Sequence, residues 1–147
     1  MSATTHYAFT FGKVRFVALN AFDIPDPASF AVLAKQMQWI EQQLEEASKQ
    51  GQSKVLLLHC YPSDLKLGRE QLIHLSREHN VRLIDMGHTH YNEIGNDGRT
   101  LYTATRSTGQ IEEGPAGFSV TNIDDGIASW RFLELGTATG RCSHIPQ

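Results

Sequence analysis

Three histidines follow two predicted strands of this sequence, at the points where the strands end. His59 follows the apolar run "KVLLL", and His88 and His90 follow the run "VRLIDM". The segment between the two runs, "GREQLIHLSREHN", has the periodicity of a helix, so the whole unit is predicted as strand, helix and parallel strand. Parallel neighbours end at the same edge of a sheet, where open α/β sheets place their ligands. The sequence therefore predicts that three imidazoles lie close together.

Imidazole nitrogens bind zinc, iron, manganese and nickel, so convergent histidines can hold a transition metal. In an extended segment, residues two apart point the same way, which would let His88 and His90 face one ion. Gly87 lets the backbone turn sharply beside them. A His-x-His pair alone is also common on ordinary surfaces, but the third histidine at a neighbouring strand end favours the metal site. We predict His59, His88 and His90 as metal ligands.

Composition narrows the classes of function. The 147 residues suffice for one domain, and the net charge of -3 gives no electrostatic basis for binding nucleic acid. The sequence has no apolar run long enough to span a bilayer and no signal-peptide pattern at its start. Two cysteines, Cys60 and Cys142, make no disulfide framework. We therefore expect a cytoplasmic protein that has neither nucleic acid nor a membrane as partner.

The remaining elements predict an α/β fold with one mixed sheet, covering helices and C-terminal β-hairpins. "YAFTF" and "VRFVALN" flank a short glycine turn and read as a hairpin. Pro27, with Asp26 as N-cap, opens a helix whose apolar stripe runs from Phe30 to Ala47. "NDG" and "DDG" mark two further hairpins. Residues 1–135 are predicted as one domain, and 136–147 as a loosely ordered tail.

With these motifs in place, the chain resembles the C-terminal half of calcineurin-like metallophosphoesterases, of the bacterial cyclic-nucleotide phosphodiesterase type. The resemblance implies a four-layer α/β/β/α sandwich, present here only in part. It also implies two divalent transition metals (Mn, Fe or Zn), with His59 and His88 binding one and His90 the other, and a small phosphoester as substrate. The matching residues are Tyr7, Phe9, Gly12, Leu19-Asn20, Gln36, Trp39, His59 and Gly87-His88-Thr89-His90.

The sequence departs from that family in lacking three motifs before "YAFTF": Asp-x-His, Gly-Asp and Gly-Asn-His. We therefore assign no catalytic residue within this chain and expect the catalytic residues upstream of it. A truncated gene product, a fragment, or a short protein that pairs with itself or with another chain would each explain this. An alternative function is a non-catalytic module that binds a single metal or a partner chain. A missing half would leave a sheet edge exposed for self-association.

Four other residues lie near the predicted metal edge. Cys60 is interpreted as a small buried residue, with a soft metal ligand as the alternative. Asp85 is interpreted as structural because strand alternation points it away from the site. Asn92 and Arg106 are predicted near the edge and could contact a phosphate, but neither is assigned as a phosphate ligand. The sequence identifies neither the substrate nor the residues that bind it.

Overall fold

The computed structural model describes residues 6–19, 27–65, 68–106, 115–124 and 126–135. The predicted N-cap Asp26 and the tail 136–147 lie outside the described residues, as do the side chains of the first helical turns, Phe30 included. The elements within the described residues are, in chain order, β1 (Tyr7–Phe11), β2 (Val14–Ala18), α1 (Pro27–Lys49), β3 (Ser53–Leu57), a 3-10 turn (Pro62–Asp64), α2 (Arg69–Glu78), β4 (Leu83–Met86), β5 (Glu93–Asn96), β6 (Leu101–Ala104), β7 (Gly117–Asp124) and β8 (Ile127–Glu134).

Within this part of the chain, the strands form a six-stranded mixed sheet and a separate two-stranded sheet. The order in the larger sheet is β1-β2-β3-β4-β6-β5, and β7 pairs with β8 in the smaller one. The four inner strands are mutually parallel, and the two edge strands run antiparallel to their neighbours. The predicted βαβ unit and all three predicted hairpins are therefore confirmed. The carboxyl ends of β2, β3, β4 and β6 lie along one edge.

Both helices cover one face of the large sheet. The stripe predicted for α1 is buried where its side chains are described, with Met37, Ile40, Leu44 and Ala47 at most 2% exposed. The second helix, α2, contributes the buried side chains of Leu72 and Leu75. Burial of such side chains contributes roughly 1.5–3 kcal/mol each, so this cluster supplies much of the stability of the fold. Its buried members are Val17, Met37, Ile40, Leu44, Leu56, Leu58, Leu72, Leu75, Val81, Ile84, Met86 and Ala104.

The β7–β8 hairpin covers part of the opposite face. Trp130 and Phe132 of β8 pack there against Val55, Leu83 and Leu101, one from each of the strands β3, β4 and β6. Alternation along each strand explains this second cluster, since Leu56 and Ile84, the next residues along, belong to the helix-side core. The mixed α/β architecture predicted from the sequence is thus confirmed as helices, a mixed sheet and a hairpin.

Candidate metal centre

The strands β3 and β4 bring two of the predicted ligands to the same edge of the sheet. Leu57 pairs with Asp85 in the parallel register, and Leu58 donates its N–H to the carbonyl of Asp85 at 3.0 Å. The ladder continues past both strands, because Gly87 donates its N–H to the carbonyl of His59 at 3.2 Å. His59 and the residue after Gly87 are therefore neighbours across the ladder.

His59 and His88 meet at this edge. Nδ1 of His88 lies 3.2 Å from Nε2 of His59, and the two ring centroids are 5.0 Å apart in an edge-to-face arrangement. Both side chains are exposed, so an ion or ligand reaches them from solvent. Gly87 is close as well, because a Cβ at that position would lie 3.8 Å from the His59 carbonyl oxygen and 4.0 Å from its Nδ1. Both distances are ordinary van der Waals contacts, so this corner has room for a methyl group but for little more.

The separation of the two nitrogens fits a shared cation. With metal–nitrogen bonds of about 2.0–2.1 Å, two ligand nitrogens lie about 3.0 Å apart at a right angle and about 3.4 Å apart in a tetrahedron. The observed 3.2 Å falls between these values. Without an ion, one neutral ring would donate an N–H to the other. A shared cation would take the place of that proton once the rings turn so that both nitrogens face it.

The segment after β4 is a bend rather than the extended segment predicted from the sequence. His88 and His90 both have left-handed backbones, with φ of 69° and 64°. Thr89 donates its N–H to the carbonyl of Gly87 at 2.9 Å, so His88 is the central residue of a γ-turn with positive φ, the rarer and more strained kind. Such backbones are held in place by surrounding structure and cluster at functional sites.

His90 does not complete a three-histidine set in this structure. Among the described residues, no three His, Cys, Asp or Glu side chains come together in a group that could hold a metal ion. The two-residue alternation that was expected to align His90 with His88 does not apply, because both residues lie in a bend. The structure thus brings His59 and His88 together, and the role of His90 as a ligand stays a prediction.

A hydrogen bond joins Tyr61, two residues after His59, to Glu93, five residues after His88, and no sequence pattern predicted it. The hydroxyl of Tyr61 donates a hydrogen bond to Oε2 of Glu93. Burial, and then the bonded carboxylate, raise the pKa of Tyr61, so its hydroxyl keeps the proton that it donates. No local pattern marks the two residues, because 32 positions separate them in the chain.

The other residues near the edge have structural contacts. The carboxylate of Asp85 accepts a hydrogen bond of 2.6 Å from Thr103 on β6, and burial raises its pKa, which agrees with the structural role predicted for it. Burial, and then the charge of Asp64, raise the pKa of the Cys60 thiol, which disfavours the thiolate that binds metals.

Asn92 and Arg106 hold strand ends together. Oδ1 of Asn92 accepts the backbone N–H of Arg106 at 3.0 Å. The Arg106 guanidinium lies over the Phe132 ring at 4.5 Å, and its Nη2 is 3.7 Å from Oε1 of Glu134. These contacts join the end of β6 to β8.

Comparisons with known proteins show a likeness in fold. No model of a protein family matches the chain, and no curated protein matches it. Among solved structures, the chain is similar to "GAP50 the anchor in the inner membrane complex of Plasmodium", with a TM-score of 0.64 and 15% sequence identity. The similarity covers 97% of this chain and 54% of that chain, so the chain spans about half the length of GAP50. At this identity the likeness concerns the fold alone.

The cytoplasmic location predicted from the sequence is wrong on this comparison, because the protein with the similar fold is described as an anchor in an inner membrane complex. The prediction rested on composition and on the start of the sequence, and neither reports how a folded protein attaches to other molecules. Neither helix in the described part of the chain is long and apolar enough to cross a membrane.

Proposed function

We propose that this chain is the C-terminal part of a metal-dependent hydrolase of small phosphate mono- or diesters. The complete fold would then be the four-layer α/β/β/α metallophosphoesterase sandwich. The observation that supports the proposal most is the 3.2 Å separation of Nδ1 of His88 and Nε2 of His59 at the carboxyl edge of the parallel strands. The Gly-His-x-His motif at 87–90 and its distance from His59 in the chain support the same assignment.

In this proposal, His59 and His88 hold one divalent cation as neutral imidazoles, and His90 is a ligand of a second. Such ions, when bound, would supply Lewis-acid activation of a phosphate ester and of water near neutral pH. Imidazoles carry no negative charge, so they leave the site positive for an anionic phosphate, whereas carboxylate ligands would offset that charge. The residues that complete catalysis are expected upstream of this chain, and no residue of the chain itself is assigned that role.

The test measures bound manganese per chain and, in the same preparation, hydrolysis of bis(p-nitrophenyl) phosphate. Manganese binding that is lost in His59→Ala supports the assignment of the site. Two ions per chain with turnover would support a complete dinuclear enzyme, and one ion without turnover would support the non-catalytic module. Failure of the unmodified chain to bind manganese, zinc or iron would overturn the metal site.

A second candidate function is that of a module that binds a second copy of itself through β1. This strand is an edge of the large sheet and carries neither a charge nor a proline, the usual protections of an edge. Tyr7, Phe9 and Phe11 are 60%, 43% and 80% exposed, and the Phe9 ring stacks on Phe16 at 4.8 Å. The opposite edge, β5, is shorter and begins with Glu93.

A strand that pairs with β1 should be uncharged and should carry aromatic residues at alternate positions. The β1 strand of a second copy meets both conditions. Antiparallel pairing about Phe9 would place Tyr7 opposite Phe11 of the second copy, and aromatic cross-strand pairs are favourable. Sedimentation velocity of the full chain should show a dimer that Phe11→Lys weakens at least about tenfold. Ile127→Lys, at a position 67% exposed on β8, is the matched control and should leave the dimer intact. A monomeric parent chain would exclude this candidate.

A further inference from the structure

The hydrogen bond between Tyr61 and Glu93 joins the two segments that carry the histidine pair. Tyr61 comes two residues after His59, and its ring packs against the helix-side core. Glu93 is the first residue of β5, five residues after His88. The bond therefore connects the segment that leaves β3 with the point where the segment after β4 re-enters the sheet.

Asn92, the residue before Glu93, is held by the end of β6. Asn92 accepts the backbone N–H of Arg106, and Glu93 itself pairs with Ala104 in the antiparallel register of β5 and β6. The bend that contains His88 and His90 is consequently anchored at both ends, by β4 before it and by residues 92–93 after it. The Tyr61 hydroxyl ties the His59 segment to the second of these anchors.

We propose that Tyr61 and Glu93 are a positioning pair, which holds His59 and His88 at the separation that one divalent cation requires. The proposal rests on the proposed function, since it assigns these residues to the same metal site. Backbone ladder bonds fix where His59 and Gly87 lie, but they leave the exposed loops free to spread beyond them. The side-chain bond restricts that motion before an ion arrives, so less ordering is needed on binding.

Tyr61→Phe removes the hydroxyl and keeps the packing of the ring. Groups that hydrogen-bond to metal ligands are worth about 10–100-fold in metal affinity. The Tyr61–Glu93 pair acts on the histidines through the chain, so the variant should bind manganese about tenfold more weakly than the parent chain, the lower end of that range. Glu93→Ala should show a similar loss. Glu93→Gln keeps an oxygen that accepts the tyrosine proton, and it should restore most of the affinity.

Tyr102→Phe is the matched control. The hydroxyl of Tyr102 donates to Oδ2 of Asp97 at 3.3 Å, a bond of the same type at the far end of the β5–β6 hairpin. Its removal should leave manganese affinity unchanged. Cobalt provides a further readout, because its visible spectrum reports the ligand geometry. The spectrum should change in Tyr61→Phe and stay the same in Tyr102→Phe, even where both variants melt at lower temperature.

The outcomes separate the positioning role from the proposed function. Equal manganese affinity and equal cobalt spectra in the parent chain and Tyr61→Phe would overturn the positioning role and leave the metal site in place. Failure of the parent chain to bind either ion would overturn the site and the positioning role together. A lowered melting temperature with unchanged affinity would show that the bond stabilises the fold and does nothing for the histidines.

Discussion

Nδ1 of His88 lies 3.2 Å from Nε2 of His59, although 29 residues separate the two histidines in the chain. The parallel pairing of β3 with β4 creates this relationship, since Leu57 stands opposite Asp85 and the ladder extends to Gly87. Two exposed imidazoles at this distance suit a shared cation better than a purely structural contact, which would stabilise little at a solvated edge.

Removal of either ring should therefore abolish tight metal binding. His59→Ala and His88→Ala should each lower manganese affinity by more than about tenfold in titration calorimetry, since a direct ligand contributes at least as much as an outer contact. His74→Ala is the control, because this histidine is 75% exposed on α2 and pairs with Glu78. His90→Ala tests the third predicted ligand, and unchanged affinity in that variant would remove His90 from the site.

The fold was largely predictable because its signals are local. The turn sequences "NDG" and "DDG", the continuous apolar run of β3 and the stripe of α1 each specify an element without reference to the rest of the chain. The parallel placement of β6 beside β4 was not predicted, since it depends on a pairing between segments that the hairpin strand β5 separates.

The site was predictable in part for the same reason. Strand ends and a βαβ unit suffice to place His59 near His88. Only a few per cent of residues other than glycine have a positive φ, so the sequence did not mark the γ-turn at His88 or the left-handed backbone at His90. Alternation therefore gave the wrong geometry for 88–90. The Tyr61–Glu93 bond is equally invisible in the sequence, since only the folded sheet brings its partners together.

Asp85 should make stability depend on pH. Burial raises its pKa, although the hydrogen bond from Thr103 opposes the shift, so the folded chain holds this proton more tightly than the unfolded chain does. The unfolded chain then loses the proton first as pH rises. Asp85 contributes its whole stabilisation below about pH 3.9, the usual pKa of the unfolded chain. The contribution then falls as pH rises, until pH exceeds the raised pKa of Asp85 in the folded chain.

Asp85→Asn removes this titration and keeps an oxygen that accepts from Thr103. In urea unfolding with chelator present, the variant should be more stable than the parent chain at about pH 7 and no more stable at about pH 3.5. If the free energies of unfolding of the variant and the parent chain differ equally at both pH values, titration of the Asp85 carboxyl group is not the cause of the difference.

Gly117 should not tolerate a side chain. A Cβ at this position would overlap the carbonyl oxygen of Leu133 and the ring of Phe132, both on the partner strand β8. Gly117→Ala should therefore lower the free energy of unfolding by about 1–3 kcal/mol, the usual cost of overpacking. Gly95→Ala is the control, because its Cβ would meet only Tyr102, at an ordinary 3.8 Å. Similar losses in both variants would point to backbone effects rather than to the overlap.

Ile84 lies at the centre of the sheet, on its helix side, and is fully buried. Ile84→Ala should lower the free energy of unfolding by about 2–5 kcal/mol, since it leaves a cavity that the sheet and helices cannot close. Ile94→Ala, at a position 39% exposed on β5, should have a much smaller effect. Chemical denaturation of the two variants checks the difference, and a reversed order would contradict the assigned core.

The positive φ angles of His88 and His90 limit which amino acids can replace them. A side chain costs free energy in that backbone, less for asparagine, aspartate and histidine than for other residues, and not at all for glycine. Saturation libraries at positions 88 and 90, sorted for folded protein alone, should therefore become rich in glycine and asparagine. Enrichment of histidine above both glycine and asparagine would require selection for a ligand, so these two positions separate selection for metal binding from selection for folding.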